Sequence, residues 1–253
     1  MQEVIVSRDN KYFKFLKKLK DKKYRDRNNI FLAEGEKFLE ENIRFTKVIV
    51  REDKFEYYNS KYNISRYDNL TVLSSNLFDQ VSTQGNSQGI LLIYSKNVSE
   101  LKDLKGDLVI LDDVQDPGNI GTIIRTMVAT NYLNLIMTNS TVDVFSPKVV
   151  RATMGGIFKV NMIYSDREEI IKFLKENNYN IISTALKEDS IDYRKVKKIE
   201  DKNAYVFGHE GGGVSDEFIS ISDQKTIIPI YGDIESLNVS VALAVFLYKM
   251  REL

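Results

Sequence analysis

Three polar loops carry the side chains able to do chemistry. The first runs Asp113-Val-Gln-Asp-Pro-Gly-Asn-Ile-Gly-Thr-Ile-Ile-Arg125. Pro117 and Gly118 form a turn, and Asn119 is placed as a helix N-cap, where a short polar side chain satisfies an orphan backbone N–H. Arg125 follows six residues later, about 120° around the helix, and converges with Asn119 only by bending back toward the helix's amino end. The second loop is Gly208-His-Glu-Gly-Gly-Gly-Val. Its glycines allow close backbone approach, and Glu210 suits a cation or a hydroxyl better than a phosphate. His209 reads as a loop residue rather than a base. The third loop carries Ser236 and Asn238 beside apolar Ile228 and Leu237. Taken singly, these are a capping asparagine, a surface arginine and a generic glycine loop. Together they mark a ligand cleft, because open α/β sheets hold ligands at the carboxyl ends of their strands.

The elements that position these loops follow from hydrophobic periodicity. Residues 107–112, 133–137, 158–164, 181–186, 204–208 and 226–230 are short apolar or β-branched runs. They alternate with helical patterns over 120–130, 147–154 and 167–175. From Ser236 onward, Val239, Leu243, Phe246, Leu247 and Met250 fall at helical spacing. The alternation predicts a mostly parallel sheet covered on both faces. Upstream, strands near 45–51 and 71–73 and helices near 57–67 and 77–81 predict a smaller α/β module. The division expected is 1–95 for that module, a polar linker at 96–106, and a second domain over 107–253.

Net charge is zero, with 36 basic and 36 acidic residues, but the distribution is uneven. Residues 8–27 hold ten Lys or Arg against three Asp, an excess of +7 that leaves −7 for the rest. Phe13, Leu16 and Leu19 lie three apart, which predicts one helix over this stretch with an apolar seam and a lysine-rich face. Such a face is either simply solvated or a contact for nucleic-acid phosphates. With no Cys and a single His, disulfides, thiolate metal sites and multi-histidine metal sites are excluded, so no metal is expected. The chain carries neither a signal peptide nor a membrane-spanning apolar run, and a cytoplasmic location is expected.

Asn119-Ile-Gly-Thr-Ile-Ile-Arg125, Phe207-Gly-His-Glu-Gly-Gly-Gly-Val-Ser215 and Ile228-Pro-Ile…Ser236-Leu-Asn-Val-Ser-Val-Ala resemble the three ordered motifs of the SpoU (TrmH-type) RNA 2'-O-methyltransferases of the SPOUT superfamily. The stretch Arg151-Ala-Thr-Met-Gly-Gly-Ile-Phe between them also fits. Phe31-Leu-Ala-Glu-Gly and Gln84-Gly-Asn-Ser-Gln-Gly-Ile resemble the family's L30e-like substrate-binding module.

The resemblance implies a carboxy-terminal domain with a trefoil knot that binds S-adenosylmethionine, and a homodimer with the site completed near the partner. By that analogy Gly208, Ile228 and Leu237, with Ala185 and Leu186, line the cofactor pocket. Asn119, Arg125, Glu210, Ser236 and Asn238 serve catalysis. The arginine matching Arg125 is the family's proposed base, although a guanidinium suits phosphate positioning better. Family members often carry Asn or Ser where His209 stands here. The amino-terminal module points to RNA, and to ribosomal RNA rather than tRNA. Also open are a tRNA methyltransferase, a non-enzymatic RNA-binding protein that keeps the fold, and a doubly wound enzyme that binds a nucleotide through 208–213.

Overall fold

In the computed structural model, which describes residues 3–97 and 99–252, the chain forms two compact units. One holds the residues up to Lys96 together with Asp143–Gly155; the other holds Asn97–Val142 and the residues from Gly156 onward.

The first unit contains β1 (Val4–Ile5), α1 (Lys11–Lys18), α2 (Lys22–Asn28), β2 (Ile30–Glu34), α3 (Lys37–Glu40), β3 (Lys47–Arg51), α4 (Phe55–Tyr62), β4 (Leu70–Leu73), α5 (Ser75–Val81) and β5 (Ile90–Ser95). Its sheet has the order β1-β4-β3-β5-β2 and is mixed: β5 runs antiparallel to β3 and β2, while β1 and β3 run parallel to β4. The expected single basic helix over 8–27 is instead two. The chain closes tight turns through Leu19 N–H to Leu16 O and Asp21 N–H to Lys18 O, and α2 restarts after Asp21. The seam survives the break. Phe13, Leu16 and Leu19 are buried against Leu77, Phe78 and Val81 of α5 and the sheet, while Lys11, Lys14, Lys17 and Lys18 remain exposed.

The second unit begins earlier than expected. Leu104 is buried in its core and Leu101 packs beside it, so this part of 96–106 is not a free linker. The elements continue with β6 (Leu108–Asp112), α6 (Pro117–Ala129), β7 (Asn134–Thr138), α7 (Pro147–Ala152), β8 (Asn161–Ser165), α8 (Arg167–Glu176), β9 (Asn180–Thr184), β10 (Ile191–Asp192), β11 (Asn203–Gly208), α9 (Asp216–Ser220), β12 (Gln224–Ile227) and α10 (Val239–Glu252). Of these, α7 falls within Asp143–Gly155 and groups with the first unit.

The second sheet has the order β10-β12-β9-β11-β6-β7-β8, and every pairing is parallel. Its central strands β6, β7 and β11 are buried at every position because both faces are covered, whereas β10 and β12, toward one edge, are more polar. Leu108, Ile110, Ala204 and Val206 join a core with Ile170 and Leu174 of α8 and Phe218 of α9. On the alternate positions of β11, Tyr205 and Phe207 lie edge-on to Phe246 of α10, at 5.4 and 5.7 Å between ring centroids. Helix α10 packs along α6. Among the described residues no helix is long and apolar enough to cross a membrane.

Several expected boundaries shift. Strand β12 stops at Ile227, shortly before Pro229, which has no N–H to extend the ladder. Strand β8 starts at Asn161, after a 3₁₀ turn at Gly156–Phe158. Helix α10 starts at Val239 rather than Ser236. Asn238 Oδ1 accepts from the Ser240 N–H at 2.9 Å, which makes Asn238 the cap.

Candidate active site

The carboxyl ends of β9, β11 and β12 are neighbours in the sheet, and the segments leaving them enclose a cavity of about 590 Å³. Its walls come from Thr184–Lys187, Phe207–Val214, Thr226–Ile230 and Glu235–Val239, all within the second unit. Gly208, Ile228, Leu237, Ala185 and Leu186 each line it, as do Glu210, Ser236 and Asn238. Asn119 and Arg125 do not.

Asn119 nevertheless meets the rim. It is not the helix cap; that is Asp116, whose Oδ1 accepts from the N–H groups of Gly118 (2.7 Å) and Asn119 (3.0 Å) ahead of Pro117 in the first turn. With its backbone held inside the helix, Asn119 is free to use its carboxamide elsewhere. Its Nδ2 donates to Glu210 Oε1 at 2.9 Å, and its Oδ1 accepts from Asn238 Nδ2 at 2.9 Å. Asn238 Oδ1 in turn accepts from the Ser240 hydroxyl at 2.6 Å. One chain of hydrogen bonds therefore ties the three separated loops together, and its direction leaves no choice in which way the Asn119 amide points.

Glu210 sits over the amino end of α6 and also accepts from the N–H groups of Gln115 (3.4 Å) and Asp116 (3.3 Å). Burial alone would raise its carboxyl. The Asn119 amide and these backbone donors outweigh that and hold it below the ordinary glutamate value. The charge faces the positive end of the helix dipole.

Arg125 stands apart from this network. It lies on α6 about 9 Å of helix rise beyond Asn119, is exposed, and makes no ion pair or side-chain hydrogen bond among the described residues. No hydrogen bond joins it to Asn119, whose carboxamide is taken by Glu210 and Asn238.

The glycine loop has a different rationale from the one its sequence suggests. His209 and Gly213 exchange backbone hydrogen bonds at 3.0 and 2.8 Å, which folds the loop onto itself. A Cβ at Gly208 would overlap the backbone of Gly213 and Val214, and Gly213 has φ +69°. These two positions need glycine for loop closure. His209 braces the turn from within: its Nδ1 accepts from the N–H groups of Gly211 (2.9 Å) and Gly212 (3.2 Å).

Sequence reasoning missed a buried brace beneath the loops. Asp112, at the end of β6, accepts from Arg167 Nε at 2.7 Å and from the Ser215 N–H at 2.8 Å, and Arg167 also pairs with Asp113. It links β6 to the starts of α8 and α9. Asp112-Asp113 at the end of an apolar run was a visible signal, but nothing in the sequence names Arg167, 55 positions away, as the partner. The cap Asp116 was legible from the Asp-Pro pair itself.

Residues 107–248 match the SpoU rRNA Methylase family, and residues 10–92 match an MRM3-like substrate binding domain. The chain is 30% identical to the 23S rRNA (guanosine(2553)-2'-O)-methyltransferase RlmP of Bacillus subtilis, over 98% of both proteins. It is 37% identical to the tRNA (guanosine(18)-2'-O)-methyltransferase of Thermus thermophilus, but over 56% of this chain and 72% of the relative. Among solved structures, an AdoMet-bound rRNA methyltransferase from Sinorhizobium meliloti superposes with a TM-score of 0.87 at 28% identity, covering 99% of this chain and 97% of that one. With the family match spanning more than half its length and the motif loops hydrogen-bonded to one another, the chain belongs to the SpoU rRNA methylase family.

Proposed function

We propose that the protein transfers a methyl group from S-adenosylmethionine to a ribose 2'-hydroxyl of ribosomal RNA. The observation that carries this reading is the Glu210–Asn119–Asn238 chain, which joins all three motifs at the rim of one cavity. The lining fits the cofactor: Ile228, Leu237 and Val239 offer apolar surface, and Glu210, Asp216 and Glu235 outnumber Lys187 among the charges. An acidic lining suits a sulfonium cation and disfavours a nucleotide polyphosphate, which argues against the nucleotide-enzyme alternative.

Bound S-adenosylmethionine would supply an electrophilic methyl carbon: the 2'-oxygen would bond to it as the carbon–sulfur pair leaves on sulfur, giving a neutral thioether, and the hydroxyl proton would pass to solvent. The protein's part is to hold the two reacting atoms in line about 3 Å apart. Gly208, Ile228 and Leu237, with Ala185 and Leu186, hold the donor. Glu210, fixed by Asn119, together with Ser236 and Asn238 orients the sugar edge. A guanidinium keeps its proton at neutral pH, so Arg125 positions a phosphate next to the target ribose and assists proton loss by its charge.

Ribosomal RNA is favoured over tRNA because the similarity to RlmP runs the whole length of the chain, whereas the similarity to the tRNA enzyme covers little more than half of it. The outer face of α10 carries Val241, Val245 and Tyr248 at i, i+4 and i+7, all exposed. A homodimer that buries this stripe, with the site completed near the partner, is part of the same proposal. The knotted threading of α10 and a cytoplasmic location belong to the same proposal. Mapping 2'-O-methyl sites by mass spectrometry in ribosomal RNA from cells with and without the protein tests it. One site should vanish with the protein, and an unchanged map would refute the assignment to ribosomal RNA.

A further inference from the structure

The stretch around Arg151 has no part in the cavity, although it sits between the first two motifs in sequence. Residues Asp143–Gly155 leave the end of the β6–β7 region and pack with the first unit, outside the residues 10–92 that match the substrate-binding domain. The anchoring is strong. Arg25 of α2 is 2% exposed; its guanidinium pairs with Asp143 and donates to the Leu19 carbonyl at 2.8 Å. Phe145 packs on Phe31 of β2 with ring centroids 5.2 Å apart, and Lys96 Nζ lies 4.8 Å over the Phe145 ring. Val149 and Val150 of α7 are buried. Gly155, at φ +90°, passes so close to Glu41 that a Cβ would overlap its carboxylate.

What this anchored segment turns outward is basic and apolar. Lys148 and Arg151, one turn apart on α7, are exposed, and among the described residues neither forms an ion pair or side-chain hydrogen bond. Helix α7 contains no acid, and the two acids beside the segment are engaged: Asp143 with Arg25, and Glu41 with Lys37 at 3.3 Å. Through the Arg25–Asp143 pair, the segment adjoins α2, whose exposed face carries Lys23 and Arg27.

Met154 supplies the second, independent observation. It follows the last residue of α7's final turn in a left-handed backbone, φ +52°, and is 53% exposed. Among the described residues eight non-glycine positions have positive φ, and the other seven are all Asn or Asp. Those residue types tolerate this conformation; a methionine there is strained and gains little packing in return. Strain held at an exposed apolar side chain beside two unpaired cations points to a ligand.

We infer that Lys148, Arg151 and Met154 form an RNA-contact edge, the two cations on phosphates of a structured RNA and Met154 against the face of an unpaired base. The inference rests on the methyltransferase reading above, and it adds a piece of the catalytic sequence to the RNA-binding unit. An unpaired base offers an apolar face next to phosphates, which matches this combination better than an acidic protein surface would.

Filter binding to protein-free large-subunit ribosomal RNA over a range of KCl concentrations tests it. Arg151→Gln and Lys148→Gln should each reduce the slope of log affinity against log salt by about 1. Met154→Gly should raise the thermal midpoint by about 2 °C, yet weaken RNA binding about 5-fold at every salt concentration with the slope unchanged. A purely structural role would move the midpoint alone. S-adenosylmethionine binding, measured by calorimetry, should be unchanged in all three variants. Variants with wild-type affinity and slope, in a protein that binds and methylates this RNA, would overturn this inference and leave the methyltransferase reading standing. A wild-type protein that neither binds nor methylates ribosomal RNA would overturn both.

Discussion

Asn119 and Arg125 share one helix and one motif, yet their surroundings are opposite. Asn119 is 8% exposed, and its carboxamide is committed on both sides, to Glu210 and to Asn238. Arg125, six residues on, is exposed and has no side-chain hydrogen bond or ion pair among the described residues. The cavity side of the site is thus assembled within a single chain before any ligand arrives, whereas on the proposed reading the arginine is completed from outside, by RNA or a second subunit. Pre-organising the donor half lowers the ordering cost of binding there, and leaving the arginine uncommitted lets the acceptor complete the site.

The contrast can be broken most severely at the glycine loop. Gly208→Val forces a side chain into the backbone of Gly213 and Val214, so calorimetry should find no S-adenosylmethionine binding and the protein should unfold at lower temperature. Arg125→Ala acts on the other side of the comparison: methyl transfer should fall about 10²–10³-fold with donor affinity nearly unchanged. Loss of donor binding in that variant would show that Arg125 belongs to the cavity half after all.

Asn119→Ala removes the shared partner of Glu210 and Asn238 and should cost about 1–3 kcal/mol in denaturant unfolding, with weaker donor binding. The smallest effect concerns pH. Since the folded protein holds the Glu210 carboxyl below the ordinary glutamate value of 4.5, its stabilising contribution is complete above that value. It is lost as pH falls through the lower folded one. In Glu210→Gln the stability difference from wild type should therefore shrink on acidification below about 4.5. The carboxylate is partly exposed, so solvent screening keeps the change small.

The all-parallel sheet was legible because both faces of its central strands are buried, which leaves apolar runs in β6, β7 and β11, whereas β10 and β12, toward one edge, carry polar residues. The convergence of Asn119, Glu210 and Asn238 was legible because loops after neighbouring parallel strands must emerge at the same end. Local chemistry was misread where two explanations fit one residue type. Asn119 looks like a cap, but Asp116 ahead of Pro117 takes that role; Gly208 lines the cavity as its sequence suggests, but what bars a side chain there is the backbone of Gly213 and Val214. Long-range pairing left no trace at all. Arg25 sits in a run of lysines and reads as one more surface cation, and its burial rests on Asp143, 118 positions away, together with the Leu19 and Lys20 carbonyls. The same pair draws α7 out of the domain to which its place in the sequence had assigned it.

The account stands most directly on where the methyl group goes. With methyl-labelled S-adenosylmethionine and protein-free large-subunit ribosomal RNA, digestion to nucleosides should return the label as a single 2'-O-methylated nucleoside, strongly reduced in Arg125→Ala. Label recovered on a base, or donor bound with no label in any nucleoside, would contradict it.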